Sequence, residues 1–298
     1  ARGLDPGETI VALLALGRHF ELSQADARGA EDAYLEALEL AKRVGDLPSQ
    51  VELHAAVAQL AAYRADWDQV LRSSDASTEI AEREGLVSKL CAPYALQGLL
   101  EWRDGDLDGA ERRFREAHGL AEQVGWSELS FQSLYGLALV LRDGGAYRGA
   151  VAVLEQAVEV CKRAGLAAQL VQAVALRSVV LALDGRGDEA REAAAECQNL
   201  AEPLKYPIGK AAVMEAHGAA ARDPEDAVTF LTDAGSLWTE LGRPLEAARC
   251  GLVAGLRLRE HDPARSRHLL DAAGLEWQRL GVAHLAERAR TLVDADSR

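Results

Sequence analysis

The sequence is poor in the features that mark several common protein classes. Aromatic residues make up only 5% of its 298 residues, so leucine, alanine and valine must build the core, a composition that suits helices better than strands. No apolar run approaches the ~20 residues that a membrane-spanning helix needs, and we expect no signal peptide before Leu4. We therefore expect no membrane partner.

Positive charge is also scarce. The chain has 33 lysines and arginines against 47 aspartates and glutamates, which gives a formal net charge of −14. Such a chain lacks the long-range positive field that attracts phosphate backbones. We therefore expect no direct nucleic-acid partner.

The four cysteines are far apart and include no CxxC pair. They are Cys91, Cys161, Cys197 and Cys250. Each falls on an apolar helix face, which predicts buried thiols and no disulfide framework. Free thiols of this kind are typical of a reducing compartment, so the sequence favours a cytoplasmic location.

Sequence patterns of catalysis and metal binding are missing as well. The seven histidines are scattered over different predicted helices, and none belongs to an HExxH zinc pattern. Gly185 and Gly187 follow no predicted strand, so they form no nucleotide-binding loop. These absences predict a protein without catalytic residues, metal or cofactor, and not an enzyme.

What the sequence does contain is a repeat of forty residues. Closing glycines recur at Gly45, Gly85, Gly125 and Gly165. A small residue opens the buried stripe of each second helix, at Ala30, Val70, Ala110, Ala150 and Ala190. The position four residues later is occupied by Tyr34, Ser74, Phe114, Leu154 and Ala194. This register predicts stacked helix pairs, each of which buries its apolar stripes against the next.

The repeat shortens after a disturbance at 203–207, which we interpret as a longer or bent junction. The pattern of apolar residues at 282–294 predicts an amphipathic capping helix. We predict a single all-α array over 1–294 and a tail at 295–298. Its repeats span about 5–45, 46–85, 86–125, 126–165, 166–205, 206–242 and 243–281, followed by the cap at 282–294.

Residues 96–125 and 136–165 carry the pattern best, and it resembles the tetratricopeptide repeat (TPR). This resemblance implies a right-handed superhelical solenoid of about seven helix–turn–helix repeats. The long period and the closing residues 277–290 are similar to the helical-repeat sensor arms of bacterial LuxR-type and maltose-activator-like transcriptional regulators and signalling ATPases. The sequence shows neither a helix-turn-helix nor a phosphate loop, so it would be such an arm or a stand-alone relative.

In TPR arrays the first helix of each repeat lines a concave groove. Counting from the small residue of each first helix gives the candidate groove residues Gln59, Leu99, Trp102, Gln132, Tyr135, Leu139, Arg142 and Gln172. Trp102, Tyr135 and Arg142 are of the types that dominate binding hot spots, and the glutamines would contact a peptide backbone. The alternative interpretation is that Trp102 and Tyr135 pack between neighbouring first helices as core.

The function that this pattern favours is a protein- or peptide-binding scaffold, a regulatory or sensor arm. A second hypothesis is a sensor of a small molecule or signal peptide that changes the shape of the superhelix, suggested by the apolar positions Leu99, Leu139 and Val179. A third and less favoured one is an enzyme or enzyme subunit built on the repeat. Self-association through the exposed ends or the junction also stays open.

Overall fold

A computed structural model of the protein describes residues 5–21 and 26–295. Within these ranges the chain forms fifteen α-helices and no strand. The predicted tail lies outside the described residues except for Ala295, and so does the sequence before Asp5. The predicted all-α repeat solenoid is confirmed.

The helices form consecutive antiparallel pairs and end in a single helix. They are α1 (Pro6–His19), α2 (Ala27–Val44), α3 (Leu47–Tyr63), α4 (Trp67–Arg83), α5 (Cys91–Asp104), α6 (Leu107–Val124), α7 (Ser127–Asp143), α8 (Tyr147–Ala164), α9 (Ala167–Leu183), α10 (Gly187–Ala201), α11 (Pro207–Ala220), α12 (Pro224–Glu240), α13 (Pro244–Leu258), α14 (Pro263–Arg279) and α15 (Ala283–Ala295). A 3-10 turn at Val87–Lys89 precedes α5.

Local sequence explains where many of these helices begin and end. The carboxylates of Asp46, Asp66 and Asp106 each accept a hydrogen bond from the backbone N–H three residues later, which satisfies a donor that the helix itself leaves unpaired. Gly45 and Gly125 end their helices in the left-handed conformation, which glycine adopts without steric cost. The forty-residue spacing therefore marks real helix boundaries.

The predicted stripe is the structural core. The small positions Ala30, Val70, Ala110, Ala150 and Ala190 are fully buried. The bulky side chains of Tyr34, Phe114 and Leu154 are buried as well. One large apolar cluster extends from α5 to α15, and a separate cluster joins α1, α2 and α3. No helix in the described ranges is long and apolar enough to cross a membrane.

The predicted junction is a turn between α10 and α11. Lys205 has a positive φ of 49° there, and α11 begins at Pro207. The Tyr206 hydroxyl donates to the Ala168 carbonyl at 2.9 Å, which fastens the turn to α9. Beyond it the chain continues to curve, so that α15 comes into contact with α5.

Candidate functional site

The first helices of successive repeats surround a solvent-connected cavity of about 980 Å³, which we call the inner cavity. Its wall consists of side chains from α1, α3, α5, α7 and α9, together with Tyr34 of α2 and with Glu21, Lys89 and Trp126 from the segments between helices. In these repeats the first helices therefore line the inner cavity.

Glutamine amides are the main uncharged polar groups of this wall. Gln59 lies on α3, Gln132 on α7, and Gln169 and Gln172 on α9. None of the four amides has a hydrogen-bond partner within the described parts of the chain. Gln59, Gln132 and Gln172 lie where the register predicted them, whereas Gln169 was missed because it is one turn further from the reference position.

Two ion pairs connect the helices around the inner cavity. Arg18 of α1 contacts Glu128 of α7 at 2.8 Å. Lys89, in the turn before α5, pairs with Glu52 of α3 and lies 4.9 Å from the centroid of the Trp126 ring. Because Arg18 and Lys89 each have a carboxylate partner, the described lining residues offer no unpaired cation for an anionic ligand.

The inner cavity has a partly buried carboxylate at its base, that of Glu21. Glu21 accepts a hydrogen bond from the Tyr34 hydroxyl at 3.0 Å. Burial raises the pKa of Glu21, and the nearby Arg243 opposes that shift. Burial also raises the pKa values of Tyr34 and Tyr63, and the Glu21 charge adds to both shifts. The three groups therefore form a hydrogen-bonded base in which the tyrosines stay protonated.

Arg243, at the start of α13, connects this base to the later repeats. Its guanidinium lies 3.4 Å from the centroid of the Tyr63 ring, close enough for a cation–π contact. The side chain is 7% exposed. The base of the inner cavity thus combines Glu21, Tyr34 and Tyr63 from the early part of the chain with Arg243 from a late repeat.

The structure corrects the predicted anchor cluster at Trp102 and Arg142. Trp102 is 3% exposed, its indole N–H donates to Asp143 at 2.9 Å, and its ring packs edge-on against His284 of α15. Arg142 is 5% exposed and also bonds Asp143. Neither side chain lies in the wall of the inner cavity, because α15 covers these positions. For Trp102 the alternative interpretation, packing in the core, is the correct one.

The remaining predicted residues occupy intermediate positions. Leu99 and Leu139 are partly buried and pack on the main core. Tyr135 packs against Phe131 with ring centroids 5.6 Å apart, and it lines a separate small cavity of about 340 Å³. Gln172 borders both spaces. Of the predicted set, only the glutamines therefore lie in the wall of the inner cavity.

Sequence reasoning missed a buried charge cluster beside Tyr135. Arg249 donates two hydrogen bonds to Glu215, at 2.5 and 2.8 Å, and the Trp238 indole donates to the same carboxylate at 3.0 Å. Burial is the largest single influence on the pKa of Arg249 and lowers it. The charge and hydrogen bond of Glu215, with smaller contributions from Tyr135 and Glu246, together outweigh burial and raise that pKa. This cluster is fully paired, which gives it a structural role.

The described residues contain no group of three or more histidine, cysteine, aspartate or glutamate side chains placed to hold a metal ion. All four cysteines are buried free thiols. Burial raises the pKa of Cys161 and of Cys197 to about 12, so neither is poised to act as a thiolate nucleophile.

No protein-family model and no curated protein matches this chain. Solved structures that resemble the fold of this chain do exist. The chain is similar to a Rap protein in complex with competence and sporulation factor, with a TM-score of 0.73 and 15% identity over 99% of this chain and 78% of that one. It is similar to aspartyl phosphate phosphatase F from Bacillus subtilis, with a TM-score of 0.68 and 14% identity over 94% and 72%.

A third similar structure is the Rap conjugation gene regulator of plasmid pLS20 in complex with the Phr* peptide. The TM-score is 0.68 and the identity 16%, over 94% of this chain and 78% of that one. At such identities the likeness concerns the fold. It confirms a TPR-like helical-repeat solenoid, while the narrower likeness to LuxR-type and maltose-activator-like regulators is not confirmed.

Proposed function

We propose that this chain is a non-enzymatic binding module that holds an extended segment of a peptide or protein in its inner cavity. The observation that carries the proposal is the set of four glutamine amides without partners in the cavity wall. Each amide offers both a donor and an acceptor, which is what the backbone of an extended peptide requires. Aromatic side chains beside them, such as Phe131 and Trp126, provide apolar contact.

The solved relatives in fold support this choice of ligand. One of them is in complex with competence and sporulation factor and another with the Phr* peptide. We extend to this chain the idea of a peptide-binding regulatory protein, acting as a sensor arm in a bacterial signalling or transcription system in the cytoplasm. Its place in a LuxR-type or maltose-activator-like regulator is part of the same proposal.

We propose no catalytic activity for the module. One solved relative is named a phosphatase, but the wall of the inner cavity consists of apolar residues, paired charges, tyrosines and amides. A nucleophile beside an activating base, the usual arrangement of covalent catalysis, is not found among the described lining residues. An enzyme or enzyme subunit is the less favoured interpretation.

A small signal molecule is the second candidate ligand. The inner cavity combines apolar side chains, such as Leu96 and Phe131, with a few polar groups, a lining that is common in small-molecule sites. Such a ligand would contact α1 and α3 on one side and α7 and α9 on the other, and so could change the curvature of the solenoid.

Selection from a displayed library of random peptides tests the proposal directly. Enriched peptides are measured by fluorescence anisotropy against the parent and against Gln132→Ala with Gln172→Ala. Two neutral hydrogen bonds contribute roughly 1–3 kcal/mol, so we expect affinity to fall about 5- to 150-fold. The control is Gln123→Ala with Gln278→Ala, two exposed glutamines outside the cavity. Equal binding by the cavity variant, or no enriched peptide, would rule out the site.

A further inference from the structure

The last helices of the chain are fastened to its early repeats by contacts that span much of the sequence. The Trp67 indole N–H donates to the Leu280 carbonyl at 2.6 Å, across 213 positions. Arg288 of α15 donates to the Asp143 carbonyl at 2.9 Å and to the Tyr147 hydroxyl at 2.8 Å. We call this set of contacts, with the two glycine contacts described next, the closure seam.

Two turn glycines let side chains pack closely against the turn backbone in the closure seam. A β-carbon on Gly105 would lie 3.3 Å from the β-carbon of His284, and one on Gly281 would lie 3.4 Å from the Trp67 ring. The other described glycines with positive φ have nothing within 4 Å of that position; they are Gly45, Gly85, Gly125, Gly145, Gly165, Gly185 and Gly242. The two exceptions therefore serve a contact as well as a turn.

The polar contacts of the closure seam are made at helix ends. The Leu280 carbonyl follows α14, and the Asp143 carbonyl ends α7. Carbonyls at these places have no partner within the helix and carry partial negative charge. The Trp67 indole and the Arg288 guanidinium supply donors to them. Opening the seam would break these polar contacts and separate Trp102 from His284. The helix α14 would stay packed on α13 and α15, so the late helices would open as a folded unit.

The closure seam also affects the inner cavity. Arg243 belongs to the late repeats that the seam holds in place, and its guanidinium covers Tyr63 at the base of the cavity. If the late repeats moved away from α4 and α5, Arg243 would leave Tyr63 and the cavity would widen on that side. The width of the cavity is thus coupled to contacts made on α15.

We propose that α15 is a clasp that holds the solenoid in a closed turn and thereby sets the width of the inner cavity. Releasing the closure seam opens the turn while the helices stay folded. The clasp is a property of the chain without any ligand, so it can be tested independently of the proposed peptide binding.

Small-angle X-ray scattering of the full chain is the first test. Trp67→Phe removes the indole donor and keeps an aromatic ring, and Arg288→Ala removes the guanidinium. We expect the combined variant to have a larger radius of gyration and maximum dimension than the parent, with unchanged helix content by circular dichroism. The control is Arg290→Ala, which alters an arginine of the same helix that pairs with Glu287 outside the seam. Identical scattering by both variants and the parent would overturn the clasp.

A cross-link makes the test independent of whether the release variant folds well. The distance of 3.3 Å between the β-carbon positions of residues 105 and 284 is near the ~3.5–4.5 Å range of disulfides. Gly105→Cys with His284→Cys should therefore cross-link on mild oxidation, whereas Gly125→Cys with His284→Cys should not. Added to the release variant, the cross-link should restore the parental radius of gyration, and reduction should abolish the rescue. No cross-link, or no rescue, would overturn the proposal.

Discussion

The ring of Phe114 lies directly over Gly136, so that a β-carbon added to this glycine would lie 2.3 Å from the ring. Phe114 belongs to α6, the second helix of one repeat, and Gly136 to α7, the first helix of the next. The contact therefore joins two repeats where both residues are buried. Interfaces of this kind supply much of the stability of a repeat array.

Replacing Gly136 by alanine should destabilise the protein. The added methyl group forces the buried Phe114 ring to move, and such overpacking typically costs about 1–3 kcal/mol. We expect a lower midpoint of urea-induced unfolding, followed by circular dichroism. Gly119→Ala is the matched control, because that glycine is also helical but has nothing within 4 Å of the β-carbon position. There alanine should stabilise the helix by up to ~1 kcal/mol. Midpoints that shift in the same direction would refute the packing argument.

Replacing Glu215 by glutamine should destabilise the chain much more than the same change at Glu225. The first substitution leaves the Arg249 charge buried without its carboxylate, which typically costs ~3–5 kcal/mol. Glu225 pairs with Arg265 at the surface, where an ion pair is worth about 0–1 kcal/mol. Thermal melts of the two variants provide the measurement. Similar melting temperatures would show that the buried ion pair stabilises the fold no more than the exposed one.

The repeats could be predicted because their signals are local. The stripe through Ala110, Phe114 and Ala117 and the glycine that ends α6 lie within twenty residues, and the next repeat shows them again. Each helix pair contacts mainly its neighbours in sequence. The same register also placed Gln132 and Gln172 in the wall of the inner cavity. Features that depend on one repeat and its neighbour can therefore be predicted from the sequence.

Contacts made by the closing of the superhelix could not be predicted in this way. Trp102 and Arg142 occupy groove positions by register, but α15 covers them. Whether α15 contacts these two residues depends on small rotations between successive repeats, summed over the whole array. No local sequence pattern predicts that sum. The Glu215–Arg249 pair was missed for a related reason, because two charged residues 34 positions apart look like surface residues until the packing of α11 and α13 is known.

The stability of the protein should decrease as the pH falls from about 7.5 to 5. Burial lowers the pKa values of four histidines from their ordinary value of 6.5. They are His54, His118, His217 and His284. The unfolded chain then binds more protons than the folded chain once the pH falls below 6.5, so acid favours unfolding. The contribution of these histidines to the free energy of unfolding is complete above pH 6.5. It is lost as the pH falls from 6.5 toward their lower pKa values in the folded protein.

The His284→Gln variant isolates the contribution of His284 to this pH dependence of stability. The His284 ring nitrogens are buried at the closure seam against Trp102, so removing this titrating group should make the melting temperature less dependent on pH between 7.5 and 5. His268→Gln, at an exposed position of α14, is the control and should follow the parent. Below pH 5 all variants should lose stability together, because ion pairs with arginine lower the pKa values of Glu31 and Glu276 from 4.5. A His284→Gln curve parallel to that of the parent from pH 7.5 to 5 would contradict the prediction.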